Sequence, residues 1–180
     1  MSRIDRPRGR RRLEQVAVDL DHLPDDQRPT PTFTAADIAG RVLHLDPSVI
    51  VLDKPQGLSV HPGPSSPDHL ERYLDALAFG AAGRPQLAHR LDRDTSGCLA
   101  LGRHKKALRR LGALFQAGRV GKTYWAVVDG VPDAPEGLVD APILKINDRR
   151  GWRMVVDERG RSALTGWKVL ASDGRLAWLE

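Results

Sequence analysis

The sequence predicts an α+β fold, with a largely antiparallel mixed sheet and a few flanking helices. Three observations lead to this prediction. Segments rich in β-branched and aliphatic residues outnumber the segments with helical periodicity. Most connections between them are short and contain Gly, Pro, Asp or Asn, the residues of tight turns. Strands and helices also do not alternate regularly, which argues against a parallel, doubly wound sheet.

The first predicted elements form a hairpin. Residues 42–45 and 49–52 are aliphatic runs, and the Asp-Pro-Ser sequence between them has the chemistry of a turn. A helix is predicted to begin at Ser66, because this N-cap residue is followed by a proline at the first helical position. Apolar residues then recur at helical spacing, and Gly80 is expected to end the helix.

The clearest helical pattern lies in the middle of the chain. Residues 98–101 are predicted to form a buried strand, and residues 103–118 a helix with one apolar face. The opposite face of this helix carries four basic residues: Lys105, Lys106, Arg109 and Arg110. Further along the chain, five segments have the composition of strands separated by turn residues: 121–130, 137–144, 151–156, 161–172 and 174–180.

Two regions are predicted from composition. Residues 1–34 form a basic, proline-rich arm that is partly disordered, and residues 35–180 form the folded domain. The net charge of +5 and the pI of about 9.8 favour polyanionic partners. Six arginines lie among the first 12 residues, so the arm is either a solvated tail or an additional contact to nucleic acid.

The sequence lacks the motifs of several large enzyme classes. It contains no Gly-rich phosphate loop, no His-Glu-x-x-His pair and no Gly-x-Ser-x-Gly element. Its six histidines have no metal-ligand spacing, so no metal site is predicted. We expect no membrane segment and no secretory signal, because no suitable apolar run is present. The single cysteine, Cys98, fits the reducing cytoplasm, and a monomer is expected.

A short segment with two acids is the best candidate for chemistry. In LAHRLDRDTSGCLAL, residues 87–101, Asp92 lies between Leu91 and Arg93 at the edge of the apolar strand. A nucleophilic carboxylate must stay ionised in a partly dry cleft, and nearby guanidinium groups favour the charged form. Asp94 precedes Thr-Ser-Gly, a pattern typical of a turn in which side chains bond backbone amides. A purely structural turn that contains both acids is the alternative.

HRLDRDTSG, residues 89–97, resembles the signature motif of the RluA-type pseudouridine synthases. Three further segments are similar to motifs of that family and occur in the same order. The three segments are VIVLDKPQGLSVHPG, GKTYWAVVDG and GRSALTGWKVL. The first contains Lys54, and the second contains Lys122 and Tyr124. The resemblance extends over roughly residues 38–180, which makes a chance match remote.

The resemblance implies the pseudouridine synthase catalytic fold and an isomerase of RNA. Such an enzyme converts uridine to pseudouridine in ribosomal or transfer RNA and needs no cofactor. The bond between N1 and C1′ breaks, the uracil rotates, and C5 joins C1′. By this resemblance Asp92 is the catalytic aspartate. It would either attack the sugar or abstract a proton to form a glycal, and the sequence leaves both routes open.

The resemblance also implies roles for residues around Asp92. Tyr124 would stack on the target uracil, and Arg90 would help to fill the space of the flipped nucleotide. Four further residues are predicted to contact RNA: Lys54, His89, Arg93 and Lys122. For the two lysines and for the basic helix face, simple solvation at the surface is the competing interpretation.

Two departures from the family lead to an alternative function. The chain has no room for the N-terminal S4 RNA-binding domain that many relatives carry. The family's Thr-Gly-Arg-(Thr/Ser)-His-Gln segment is also absent after the last predicted strand. We therefore expect a catalytic domain that is incomplete at its C-terminal end. The alternatives are a non-catalytic RNA-binding protein, an inactive fragment that retains the fold, and an unrelated aspartate-dependent hydrolase.

Overall fold

The computed structural model describes residues 32–63, 66–148 and 151–180. The chain divides into two compact units, the first ending at Arg119 and the second beginning at Val120. The basic arm predicted for residues 1–34 lies almost entirely outside the described residues. The region predicted as one folded domain therefore contains both units. No described helix has the length and hydrophobicity needed to cross a membrane.

In its described residues, the first unit consists of one sheet with helices around it. In chain order its elements are α1 (Ala35–Ala39), β1 (Val42–Leu45), β2 (Val49–Lys54), a 3₁₀ helix (Leu70–Leu77), β3 (Gln86–Leu87), β4 (Gly97–Gly102) and α2 (Lys105–Gln116). The sheet has the order β1-β2-β4-β3, and each pair of neighbours is antiparallel. The predicted hairpin, the buried strand and the long helix are confirmed.

The turn of the first hairpin is held by one side chain. The Asp46 carboxylate accepts hydrogen bonds from the backbone N–H groups of Ser48 (2.6 Å) and Val49 (2.7 Å). Its second oxygen lies 3.1 Å from Nε2 of His44. The bond to His44 first, and then the two backbone bonds, lower the pKa of Asp46 to about 2. The turn is thus stabilised by the ionised form of Asp46.

Two details near the first sheet differ from the prediction. Helix α1 was not expected, although Thr34 and Asp37 form a reciprocal capping box at its start. The helix predicted to begin at Ser66 is a 3₁₀ helix that begins only after His69. His69 has an extended backbone and forms an isolated bridge with Ser59. That pairing competes with helix formation, so the proline after Ser66 does not start a helix.

The core of the first unit lies on one face of its sheet. The alternate residues Ile50 and Leu52 of β2 and Leu99 and Leu101 of β4 have no exposed surface. They pack with residues of α1 and the 3₁₀ helix: Ile38, Leu70, Leu74 and Leu77. Burial of each such side chain contributes on the order of 1.5–3 kcal/mol. The core therefore fixes the ends of β2 and β4, between which the candidate site lies.

The second unit is built from strands alone in its described part. Its elements are β5 (Ala126–Asp129), β6 (Glu136–Asp140), β7 (Ile143–Asp148), β8 (Gly151–Val156), β9 (Leu164–Ser172) and β10 (Leu176–Leu179). One sheet has the order β5-β10-β9-β6, and β7 and β8 form a separate hairpin. All these pairings are antiparallel, so the prediction of a largely antiparallel α+β fold is confirmed. In place of the single sheet that was expected, the described residues of the two units form three separate sheets.

Candidate active site

The segment between β3 and β4, residues 88–96, presents Asp92 at the surface of the first unit. Leu91 is only 7% exposed and belongs to the core, so it anchors the segment. The side chains on either side point outward, with Arg90 64% and Asp92 86% exposed. The distance between Nη2 of Arg90 and Oδ1 of Asp92 is 3.8 Å, a loose ion pair. Both groups are therefore accessible to a ligand.

Asp92 occupies the first position of a tight turn. Its carbonyl oxygen accepts a hydrogen bond from the backbone N–H of Thr95 at 3.2 Å. Within the turn, Nε of Arg93 donates to Oδ1 of Asp94 at 3.3 Å. Gly97 then begins β4 with a φ of +111°, a conformation that glycine adopts without strain. The structure thus assigns Asp94 to contacts within the turn and leaves the Asp92 carboxylate projecting from it.

His89 ties the same segment to β4 and α2. Its Nε2 accepts a hydrogen bond from the backbone N–H of Ala100 at 3.0 Å, which extends the pairing of β3 with β4. Its ring lies 4.4 Å from the ring of Phe115 of α2, measured between centroids. An Nε2 that accepts a hydrogen bond carries no proton, so this arrangement requires the neutral imidazole. The contacts of His89 in this structure position the segment that carries Asp92.

Lys54, the last residue of β2, lies beneath the Asp92 turn with no exposed surface. Its ammonium donates to the carbonyl oxygens of Pro55 (2.8 Å), Leu58 (2.8 Å) and Arg93 (3.1 Å). Burial lowers the pKa of Lys54 from 10.5 to about 8, although the negative charges of Asp94 and Asp92 act in the opposite direction. Lys54 therefore joins two loops in the interior.

The inward direction of Lys54 contradicts the prediction that it contacts RNA. Side chains alternate between the faces of a strand, and Lys54 shares the buried face of β2 with Ile50 and Leu52. All three ammonium hydrogens have carbonyl acceptors, so none is available to a phosphate. The alternation of residues 50, 52 and 54 is the sequence signal that predicts this burial.

The other two predicted site residues, Lys122 and Tyr124, belong to the second unit. Both are exposed, and Tyr124 retains 52% of its accessible surface. They precede β5, which begins at Ala126, so the strand predicted for residues 121–130 is shorter than expected. The next residue, Trp125, packs edge-on against Trp178 of β10 at 5.2 Å between ring centroids. This contact holds the segment that carries Tyr124 on the sheet of its own unit.

The four basic residues of α2 are all exposed, as the helical pattern predicted: Lys105, Lys106, Arg109 and Arg110. The buried face of the helix begins at Ala107, and Gly102 of β4 lies directly below Leu108. A cationic helix face in the same unit as Asp92 offers charge for a polyanion.

The comparisons with known proteins agree with the sequence motifs. The family model described as RNA pseudouridylate synthase matches residues 48–180. The chain belongs to this family. An uncharacterised RNA pseudouridine synthase of Zymomonas mobilis is 47% identical over 137 residues, which cover 76% of this chain and 63% of that protein. The mitochondrial pseudouridylate synthase RPUSD4 of Xenopus tropicalis is 34% identical over 137 residues, covering 72% and 42%. The resemblance found in the sequence is confirmed.

Solved structures of the family share the fold. The human protein called RNA pseudouridylate synthase domain containing 4 has 31% identity and a TM-score of 0.67, over 81% of this chain and 59% of that one. The human protein called RNA pseudouridylate synthase domain containing 1 has 19% identity and a TM-score of 0.64, and this similarity shows the fold alone. The chain spans less than two thirds of the length of the curated relatives it matches first, namely 63%, 45% and 42%.

Proposed function

We propose that this chain converts uridine to pseudouridine in ribosomal or transfer RNA, with Asp92 as the catalytic carboxylate. The observation that carries the proposal is an exposed carboxylate on an anchored turn, within the segment that matches the family. Leu91 in the core and the bond from Thr95 to the Asp92 carbonyl hold its backbone in place. A carboxylate held in this way needs little reordering to meet a sugar carbon.

The proposed reaction is an isomerisation in which atoms and electrons balance internally. The N1–C1′ bond breaks, the uracil turns, and a C5–C1′ bond forms. The proton on C5 is released and N1 gains a proton, so no oxidant or reductant takes part. Asp92 acts either as the nucleophile at C1′ or as the base that forms a glycal. Asp92 is exposed in this chain, so the bound RNA has to supply the water-excluding cover that either role requires.

Further residues, some in each unit, are proposed to contact the RNA. Arg90 is exposed and only loosely paired with Asp92, which leaves its guanidinium able to enter the space of a flipped nucleotide. Tyr124 presents an exposed ring of the kind on which a uracil stacks. Arg93 and Lys122 are proposed to contact the RNA backbone. We propose the cytoplasm as the compartment, because the free and exposed Cys98 fits a reducing environment.

The proposal is tested by tritium release from RNA labelled at C5 of uridine. Transcripts of ribosomal and transfer RNA sequence are incubated with the purified chain, with Asp92→Asn, and with Asp75→Asn as control. Asp75 is an exposed carboxylate of the same unit, 78% accessible, so its variant makes the same chemical change elsewhere. We expect release by the wild type and Asp75→Asn, and a loss of at least a thousandfold in Asp92→Asn.

Three outcomes separate the candidate functions. Tritium release by the wild type that is lost in Asp92→Asn supports the synthase function. Release that survives in Asp92→Asn contradicts the role of Asp92. If the folded wild-type chain binds the transcripts without release, the non-catalytic RNA-binding function takes its place.

A further inference from the structure

The ammonium of Lys54 is buried directly under the turn that carries Asp92, and the proposed reaction assigns it no role. We propose that Lys54 is a positioning residue for Asp92. Its hydrogen bonds connect the turn that carries Asp92 to the loop that follows β2. The proposal rests on the proposed function of Asp92, but its geometric part can be tested without activity.

The hydrogen bonds of Lys54 connect three separate points of the backbone. Two acceptors, the carbonyls of Pro55 and Leu58, belong to the loop after β2. The third, the carbonyl of Arg93, belongs to the turn that follows Asp92 and lies 39 residues away in the sequence. The Arg93 carbonyl also accepts the backbone N–H of Gly57 at 2.9 Å. The loop and the turn are therefore joined at the residue next to Asp92.

The charge of Lys54 acts on the same turn. The ionised groups that influence the ammonium are Asp94 and Asp92, both of them on the turn above it. The attraction is mutual, so the buried positive charge draws the turn that carries both carboxylates towards the end of β2. A buried cation is costly unless its donors are satisfied, and the three carbonyl acceptors, one of them on the Asp92 turn, satisfy those of Lys54.

Loss of the proton from Lys54 changes this connection in a defined way. An ammonium has three N–H donors and a neutral amine has two, so one carbonyl loses its bond. Of the three contacts, the one with Arg93 is the longest, and the Arg93 carbonyl keeps the N–H of Gly57. Deprotonation should therefore release the link to the Asp92 turn first. Because burial lowers the pKa of Lys54 to about 8, this release is expected around pH 8.

The geometric part is tested by hydrogen exchange of two backbone amides in the whole chain. The N–H of Gly57 donates to Arg93, and the N–H of Thr95 donates to Asp92. In Lys54→Met at pH 7 we expect both to lose protection at least tenfold, while the amides paired between β2 and β4 keep theirs. Lys168→Met, which alters an exposed lysine of β9, is the control and should leave both amides unchanged.

The positioning role is tested by the pH profile of tritium release. In the wild type we expect kcat to fall as pH rises through about 8, with KM nearly constant. In Lys54→Met kcat should be at least tenfold lower at pH 7, and the fall near pH 8 should be absent. A merely structural role for Lys54 would lower the amount of folded protein without removing this fall.

The outcomes distinguish this proposal from the proposed function. If hydrogen exchange at Gly57 and Thr95 is unchanged in Lys54→Met, the proposed connection between the loop and the turn is refuted, whatever activity the variant has. If Lys54→Met does not fold, protection of the same amides in the wild type, corrected for intrinsic exchange, should fall between pH 7 and pH 9. Constant protection would then overturn it. If exchange is faster in Lys54→Met but the wild type releases no tritium, the proposed function is refuted and the connection made by Lys54 is not.

Discussion

Raising the pH above 8 is expected to stabilise the first unit, because Lys54 is buried as an ammonium. The pKa of this group is about 8 in the folded chain and 10.5 when it is freely solvated. Between these values the unfolded chain binds more protons than the folded one, so the free energy of unfolding rises with pH. Below pH 8 both states are protonated, and the cost of burying the charge is present in full.

The size of the effect follows from the same two values. A change of one pH unit in a pKa corresponds to about 1.4 kcal/mol, so the full gain is about 3 kcal/mol. About 2 kcal/mol of it should appear by pH 9.5. The pH range of the experiment ends at 9.5 because Tyr73, whose pKa is raised mainly by burial, titrates at higher pH. Lys54→Met lacks the titrating group and should show no such gain.

Unfolding in urea can be followed separately in the first unit. All described helices lie in it, so the circular dichroism at 222 nm reports on its unfolding. The four tryptophans lie between residues 125 and 178, so their fluorescence reports on the second unit. The difference in unfolding free energy between the wild type and Lys54→Met should increase between pH 7 and pH 9.5 in the dichroism signal only.

A constant difference between the two proteins over this range would refute the reasoning, because Lys54 would then have the same pKa in both states. The expected result has a second distinctive feature. Global stability rises with pH while local protection at Gly57 and Thr95 falls. Removing the buried charge relieves its desolvation, and the same step breaks the bond to Arg93.

Two further predictions concern the packing and the turn chemistry of the first unit. A Cβ at Gly102 would lie 2.7 Å from the backbone nitrogen of Leu108, so Gly102→Ala should destabilise the unit by about 1–3 kcal/mol. In the matched control Gly112→Ala, nothing lies within 4 Å, and urea unfolding should show a gain of about 0.5–1 kcal/mol. The lowered pKa of Asp46 means that its contribution to stability is lost as pH falls from 3.8 towards 2. The urea midpoint of the wild type should therefore fall towards that of Asp46→Asn over this range, and a constant gap would contradict the assigned turn.

The sequence alone determined the elements that depend on local chemistry. The hairpin around residues 46–48 follows from an Asx turn between two aliphatic runs, and α2 from its two-faced periodicity. The family followed from four motifs in order, which the match over residues 48–180 confirms. Each of these signals is contained in a short stretch of chain, so no knowledge of distant contacts is needed to detect it.

Only the tertiary structure decided what the polar residues near Asp92 do. The sequence predicted an RNA contact for Lys54, but the structure buries it on one face of β2 with an acceptor, the Arg93 carbonyl, 39 residues further along. The acceptor nitrogen of His89 likewise meets the N–H of Ala100 only because β3 pairs with β4. The helix predicted at Ser66 failed for the same reason, since the bridge between Ser59 and His69 overrides local propensity. A buried donor takes whichever acceptor the packed chain brings within hydrogen-bond distance, and spacing along the sequence does not encode that distance.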